Sequence, residues 1–348
     1  MSDNMKITSE KPLNQWKEYT LSNDDGMSVS FLNYGGIITK MITPNRDGEL
    51  ENVVLGYQNI EKYKQNPNCF GAIIGRVAGR IPDAFFCLDG KKYELEANEG
   101  AHHLHGASTG FHHVIWETSP FQADNQVGVK LSHSSPNGEG GYPGQVNVTV
   151  TYTLTNENEF LINYEAVSDE KTVLTLTNHT YFNLTGQLKE SVGNHIVQMN
   201  SDRFLELDQN LIPTGKRINV TKTPFDFRNG KKLAEGFQST HPQNVTVNHG
   251  YDHYFLFNKT DETSIVVKED TSGRILKVKT NQPGVVMYTG NGLDDHCVLQ
   301  EGMSKKHLGV CFETQGSPAS LHHDGLPSIT LEANEQYKKQ TIYSFSYN

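Results

Sequence analysis

The chain has 348 residues, 35% of them hydrophobic and 20% charged, so it can bury a sizeable core and is not built for general disorder. Its 30 basic and 40 acidic side chains leave a formal net charge of −10. That balance argues against nucleic acid as a partner, because phosphate neutralisation needs a dense basic surface. In chain order, β-rich runs are predicted at residues 29–32 and 36–42, parted by the turn Asn33-Tyr34-Gly35-Gly36. A short helical turn is predicted at 60–64. Val146, Val148, Val150, Tyr152 and Leu154 alternate with Asn147, Thr149, Thr151 and Thr153, the pattern of a half-buried strand. After Asn156-Glu157-Asn158 the alternation resumes at Phe160, Ile162 and Tyr164, which predicts a hairpin. Further strands are predicted at 172–176, 264–267, 275–280, 285–289, 307–313 and 342–345, with a second helical turn at 231–236. Many short strands without alternating helices predict an all-β fold, a large antiparallel β-sandwich. With no linker and no fixed-period repeat, residues 1–348 read as one domain.

Cys69, Cys87, Cys297 and Cys311 are too sparse for a disulfide scaffold and form no C-x-x-C metal pair. The N-terminal residues lack an apolar signal region, and no stretch is long and apolar enough to span a membrane. A cytoplasmic protein with no membrane partner is the expectation.

Familiar cofactor motifs fail. Gly75-Arg76-Val77-Ala78-Gly79-Arg80 lacks the lysine and hydroxyl of a phosphate loop, and no Gly-x-Gly-x-x-Gly opens a helix after a strand. Gly106-Ala107-Ser108-Thr109-Gly110 matches a serine-hydrolase elbow formally, but residues 111–116 read as extended chain where that elbow needs a helix. His102-His103-Leu104-His105 has two readings: on a strand His103 and His105 would face one way as metal ligands, or the run is a polar loop in a chain of 15 histidines. The second is preferred, so no metal is expected.

Ionisable residues also stand where strands should be purely structural. In Leu176-Thr177-Asn178-His179-Thr180-Tyr181-Phe182, His179 shares a face with Tyr181. Glu313 ends the apolar run from Leu308 on the face of Gly309 and Cys311. A carboxylate there is costly to bury unless paired or used, although a strand end facing water would explain it too. Asp252 lies among aromatics in Gly250-Tyr251-Asp252-His253-Tyr254, and Arg80 follows glycine-spaced chain that permits close approach of backbone or ligand.

Taken together, the segments resemble the galactose mutarotase (aldose 1-epimerase) family from about Val29 to the C-terminus. The collinear pieces include Phe70-Gly71-Ala72-Ile73-Ile74-Gly75-Arg76-Val77-Ala78-Gly79-Arg80-Ile81, Leu104-His105-Gly106, Thr177-Asn178-His179-Thr180-Tyr181-Phe182, Gly250-Tyr251-Asp252-His253, Gln282-Pro283-Gly284-Val285 and Phe312-Glu313-Thr314-Gln315. The resemblance implies a cofactor-independent isomerase with an aldohexose substrate, galactose or glucose. It implies Glu313 as general base at the anomeric hydroxyl and His179 as general acid at the ring oxygen. His105, Arg80 and Asp252 are implied as sugar-binding residues, with Tyr181 and Gln282 as further contacts. Two departures bear on the preferred sugar. Gly79 stands where many relatives have asparagine, and Gly316-Ser317-Pro318-Ala319 replaces an Asn-x-Pro-Asp-like continuation. The alternatives are a hexose 6-phosphate mutarotase, for which Arg76 is the candidate cation in an otherwise acidic chain, and a non-catalytic sugar-binding module of the same fold.

Overall fold

Period-two burial turns the long apolar runs into antiparallel strands. In the computed structural model, which describes residues 5–260 and 262–348, these strands build three large sheets around a shared core. The nine-stranded sheet runs, edge to edge, through Glu117–Ala123, Gln126–Ser135, Val146–Thr155, Glu159–Ser168, Gln336–Tyr347, Arg274–Thr280, Thr263–Lys268, Ile196–Met199 and Lys231–Lys232. The predicted hairpin is its centre: Val146, Val150, Tyr152, Leu154, Phe160 and Ile162 are fully buried. The C-terminal strand pairs with Glu159–Ser168 on one side and Arg274–Thr280 on the other, so the sheet is completed by the end of the chain.

Opposite it lies a six-stranded sheet in the order Tyr181–Phe182, Val310–Gln315, Gly284–Tyr288, Asp252–Leu256, Arg203–Leu207 and Pro213–Asn219. Phe255, Val285, Met287, Val310 and Phe312 turn one face of that sheet into the core, alongside Tyr152 and Tyr343 from the nine-stranded sheet. The five-stranded N-terminal sheet adds Leu21, Val29, Phe31 and Met41. The alternate residues of the six-stranded sheet are left to face the other way, and that is where the site forms. Among the described residues no helix is long and apolar enough to cross a membrane.

Several elements differ from the sequence expectation, each for a local reason. The strand expected at 36–42 is Ile38–Pro44, because Gly35 and Gly36 take positive φ values of 63° and 56°. The strand expected at 307–313 is Val310–Gln315; His307 has φ 60° and cannot start it. The segment 172–182 is not one strand. Thr172–Val173 pairs with Thr330–Leu331, Thr177–Asn178 with Ile73–Ile74, and Tyr181–Phe182 with Val310 and Cys311. Asn178 makes this hop: its Oδ1 accepts from Thr180 N and Oγ1, and its Nδ2 donates to Gly71 O and Tyr152 OH. The helical turn expected at 231–236 divides into strand Lys231–Lys232, which pairs with Ile196 and Val197, and helix Ala234–Phe237. The turn Ile60–Lys64 forms as a 3₁₀ helix capped by Asn59.

A buried ion pair ties two of the sheets together. Arg274, 1% exposed, donates to Glu51 Oε2 at 2.9 Å and to the carbonyls of Thr43 and Leu184. Glu51→Gln keeps the shape but strips the charge opposite a buried guanidinium. It is expected to cost about 1.5–3 kcal/mol, read as a lower urea midpoint at constant m. An unchanged midpoint would mean that the backbone carbonyls of Thr43, Glu49 and Leu184 satisfy Arg274 unaided.

Candidate active site

The cavity-facing side of the six-stranded sheet is set by register. Tyr181 sits beside Cys311, Cys311 beside Tyr288, and Tyr288 beside Asp252. Two residues along, Glu313 sits beside Val286, and Val286 beside Tyr254. Because side chains alternate, Cys311, Glu313 and Gln315 share one face of their strand. This face floors a cavity of about 400 Å³. Glu313, 3% exposed, and His179, 6% exposed, meet on it with Nε2 3.5 Å from Oε1. His179 arrives through the Asn178 hop; its Nδ1 lies 3.5 Å from Cys311 Sγ, and its ring leans on Tyr181 at a centroid distance of 5.1 Å.

The opposite wall comes from the paired strands Arg80–Ile81 and His103–Leu104. Arg80 donates to both carboxylate oxygens of Glu99, at 2.5 and 2.9 Å, and Nη1 reaches Asp252 Oδ2 at 3.5 Å. His105 follows in a left-handed conformation, φ 57°, and its Nδ1 accepts from Gly79 N at 3.0 Å. A neutral His105 therefore carries its proton on Nε2, away from the backbone bond. Its ring stands 5.5 Å from that of His179.

Burial governs the electrostatics. It pushes the Glu313 carboxyl well above the usual carboxylate range, with Asp252 adding to the shift and Arg80 opposing it. It pulls His179 down to about 4. His105 is lowered well below the ordinary histidine value by burial, then by His179 and Arg80. Burial raises Asp252 to about 6 against the pull of Arg80. Burial disfavours the charge on Arg80, but Asp252 and Glu99 outweigh it and hold the guanidinium charged. Burial thus favours the uncharged form of both members of the His179–Glu313 pair.

Of the expected site residues, the structure brings Glu313, His179, His105, Arg80, Asp252 and Tyr181 to one cavity. Tyr181 lines it with its ring, because the hydroxyl donates to Asn68 O at 2.9 Å. Gln282 is the exception. It is buried away from the cavity lining, with Nε2 directed to Leu176 O and Tyr337 OH at 3.3 and 3.4 Å. It precedes the strand Gly284–Tyr288, so the alternation that aims Val286 and Tyr288 does not govern it. Three lining or supporting residues were not anticipated: Glu99, Tyr288 and Gln315. Strand parity from Glu313 points to Gln315; nothing in the sequence pairs Glu99 with Arg80.

The remaining motifs resolve locally. His103 does not share a direction with His105: Nδ1 meets Glu96 O and Nε2 meets Tyr142 OH, both at 2.7 Å. The strand ends at Leu104, and the left-handed His105 breaks the alternation. His102 Nδ1 accepts from Asp83 N. The ligand atoms of His105, His179 and Glu313 lie within 4.8 Å of one another, a spacing that suits one cation and equally suits proton exchange beside a neutral imidazole. Ser108 is exposed on a 3₁₀ turn and hydrogen-bonded to Glu96, with no elbow around it. Arg76 is buried, and it donates to Ser135 Oγ, Ser135 O, Pro136 O and Pro143 O at 2.8–3.0 Å. Gly79 and the 316–319 turn prove to be neighbours: a Cβ on Gly79 would stand 3.1 Å from Pro318 Cγ.

With this geometry in hand, the relatives are informative. The aldose 1-epimerase family profile matches residues 17–344. The chain is 40% identical to galactose mutarotase of Rattus norvegicus over 92% of both chains, and 36% identical to aldose 1-epimerase of Haemophilus influenzae over 87% of both. The crystal structure of galactose 1-epimerase from Lactobacillus acidophilus superposes with a TM-score of 0.88 at 31% identity, covering 100% of each chain. A profile spanning nearly the whole chain, with relatives this similar along most of their own length, leads to one conclusion: the protein belongs to the aldose 1-epimerase family.

Proposed function

We propose that the protein interconverts the α and β anomers of an aldohexose, galactose and glucose being the sugars the family relationship favours, by acid–base opening and reclosure of the ring between Glu313 and His179. The observation that carries this reading is the buried His179–Glu313 pair, 3.5 Å apart on the floor of the cavity. Mutarotation needs one group to take the proton of the anomeric hydroxyl while another protonates the ring oxygen, and each must then reverse its role. A carboxyl and an imidazole facing each other at that distance have that capacity.

In the proposed sequence, the sugar enters with its hydroxyls on Arg80 and Asp252. The carboxyl proton of Glu313 passes to His179, because hydroxyls donating to the carboxylate and the charge of Arg80 favour its ionised form. Glu313 then takes the O1 proton, His179 protonates O5, and the C1–O5 bond breaks as the C1 carbonyl forms. Rotation about C1–C2 turns the other carbonyl face to O5, and closure runs the transfers backwards. Neutral His105, with its Nε2 proton, donates to a sugar oxygen. Tyr181 steadies the His179 ring.

The hexose 6-phosphate reading is less well supported. Its candidate cation, Arg76, is held by protein acceptors away from the cavity, and Arg80 is the one Lys or Arg among the described residues lining it. A non-catalytic module would have no use for the His179–Glu313 pair.

The test is polarimetry of freshly dissolved α-D-galactose and α-D-glucose. The expected result is decay of optical rotation to the same end point, faster in proportion to added protein. No acceleration at any protein concentration with either sugar would refute the reading.

A further inference from the structure

In the proposed reaction His179 carries a proton to the ring oxygen, so the surroundings of both its ring nitrogens matter. Its backbone is fixed, with N donating to Ala72 O at 2.9 Å and O accepting from Gly71 N at 3.0 Å. Its ring stands among those of Tyr181, His105 and Tyr288, at centroid distances of 5.1, 5.5 and 6.3 Å. Nε2 faces Glu313 Oε1 and Nδ1 faces Cys311 Sγ, each at 3.5 Å. Cys311 is fully buried, lies outside the cavity lining, and is paired in its sheet with Tyr181 on one side and Tyr288 on the other. Any influence of its sulfur on a bound sugar therefore runs through the imidazole. Burial, with Glu313 and Asp252 adding to it, pushes the Cys311 thiol well above its ordinary range and keeps it uncharged.

A neutral imidazole has one N–H, and its two tautomers do different chemistry here. With the proton on Nε2, the lone pair points to Cys311, and the carboxyl proton of Glu313 has no acceptor on the imidazole. With the proton on Nδ1, that N–H donates to the sulfur, and the Nε2 lone pair faces the carboxyl whose proton it takes. A thiol sulfur is a weak acceptor. It can hold this tautomer without making the imidazole a stronger base, as a carboxylate at Nδ1 does. The imidazolium formed in the reaction then stays a strong acid towards the ring oxygen. We infer that Cys311 is a positioning residue, whose Sγ accepts from Nδ1–H of neutral His179 and so keeps the Nε2 lone pair turned to Glu313. This rests on the mutarotase reading of the same cavity.

The first measurement needs no substrate. Nitrogen NMR of the wild-type protein, isotope-labelled at histidine, reads which nitrogen of His179 carries the proton, the signals being assigned by their loss in His179→Ala. A protonated Nδ1 and a bare Nε2 are expected, and the reverse overturns the inference. The second measurement removes the acceptor. Cys311→Ala is expected to lower kcat about 3–10-fold, the net worth of one hydrogen bond, to leave KM in place, and to spread the His179 proton over both nitrogens. Cys311→Ser restores an acceptor and should recover kcat and the Nδ1 proton. A merely structural role would move KM together with kcat in Cys311→Ala and leave the His179 proton on Nδ1, and that result overturns the inference. Should Cys311→Ala fail to fold, the wild-type spectrum and Cys311→Ser still decide it, and a serine variant whose proton sits on Nε2 without loss of kcat counts against the inference. Inactivity of the wild type on galactose and glucose would refute the mutarotase reading instead, whatever the spectrum shows.

Discussion

Glu313→Gln and His179→Ala are each expected to lower kcat by about 10²–10⁴-fold while the far-ultraviolet circular dichroism of the protein stays unchanged. Gln preserves the shape of Glu313 and its place beside Val286, but an amide cannot take up the anomeric proton. Ala at 179 removes the group that protonates the ring oxygen, and Asn178, whose hydrogen bonds shape the chain there, is untouched. The two losses should not multiply. The two groups face each other across 3.5 Å, and the proton taken by one must be matched by the proton given by the other, so removing either half disables the pair. The double variant is therefore expected near the rate of the slower single variant, as for other catalytic groups that act together. Polarimetric kcat values for the three variants decide this. A product of the two losses would mean independent action, and wild-type kcat in either single variant would remove that residue from the mechanism.

What the sequence made legible was whatever obeys strand alternation. The hairpin from Val146 to Tyr164 was readable because every second residue is apolar and the core accepts those residues. Glu313 was readable for the opposite reason, as a carboxylate on a face that should be apolar, and burial in the cavity floor explains it. Where alternation stops, the reading stopped with it. His103 and His105 would share a face only on a continuous strand, and the alternation cannot tell that from a loop; the strand holds two residues and His105 turns left-handed, so only one of them reaches the cavity. Gln282 lies just outside its strand and points elsewhere, whereas Gln315 lies within a strand and keeps parity with Glu313. Glu99 was invisible because its partner Arg80 meets it through pairing of two short strands, a contact with no sequence period. The hop at Asn178 depends on hydrogen bonds to Gly71 and Tyr152, both distant in the chain.

The second large effect concerns the charged wall. Arg80→Met is expected to lower kcat/KM by about 10²–10³-fold, the cost of truncating one member of a partly buried charge pair that also orients a ligand. It leaves Asp252 on the cavity wall, and Glu99 behind Arg80, without the guanidinium that both contact, at 3.5 Å and 2.5 Å respectively. The pH profile gives the assignment a sign. Burial raises Asp252 to about 6, with Arg80 working against that shift. Its carboxylate is therefore present above about pH 6 and lost as the pH falls through that value. If the ionised Asp252 accepts sugar hydroxyls, kcat/KM of the wild type declines on the acid side of about 6, since kcat/KM reports groups of the free protein. Asp252→Asn should lose that limb and retain only a lower one near 4, where His179 gains its proton. Arg80→Met should move the limb the other way, to higher pH, because burial then acts unopposed and Glu99 adds like charge. Profiles of kcat/KM for the three proteins separate these outcomes. An acid limb that stays in place in both variants would mean that Asp252 neither binds the sugar as a carboxylate nor feels Arg80, and the hydroxyl-binding role of the pair would fall.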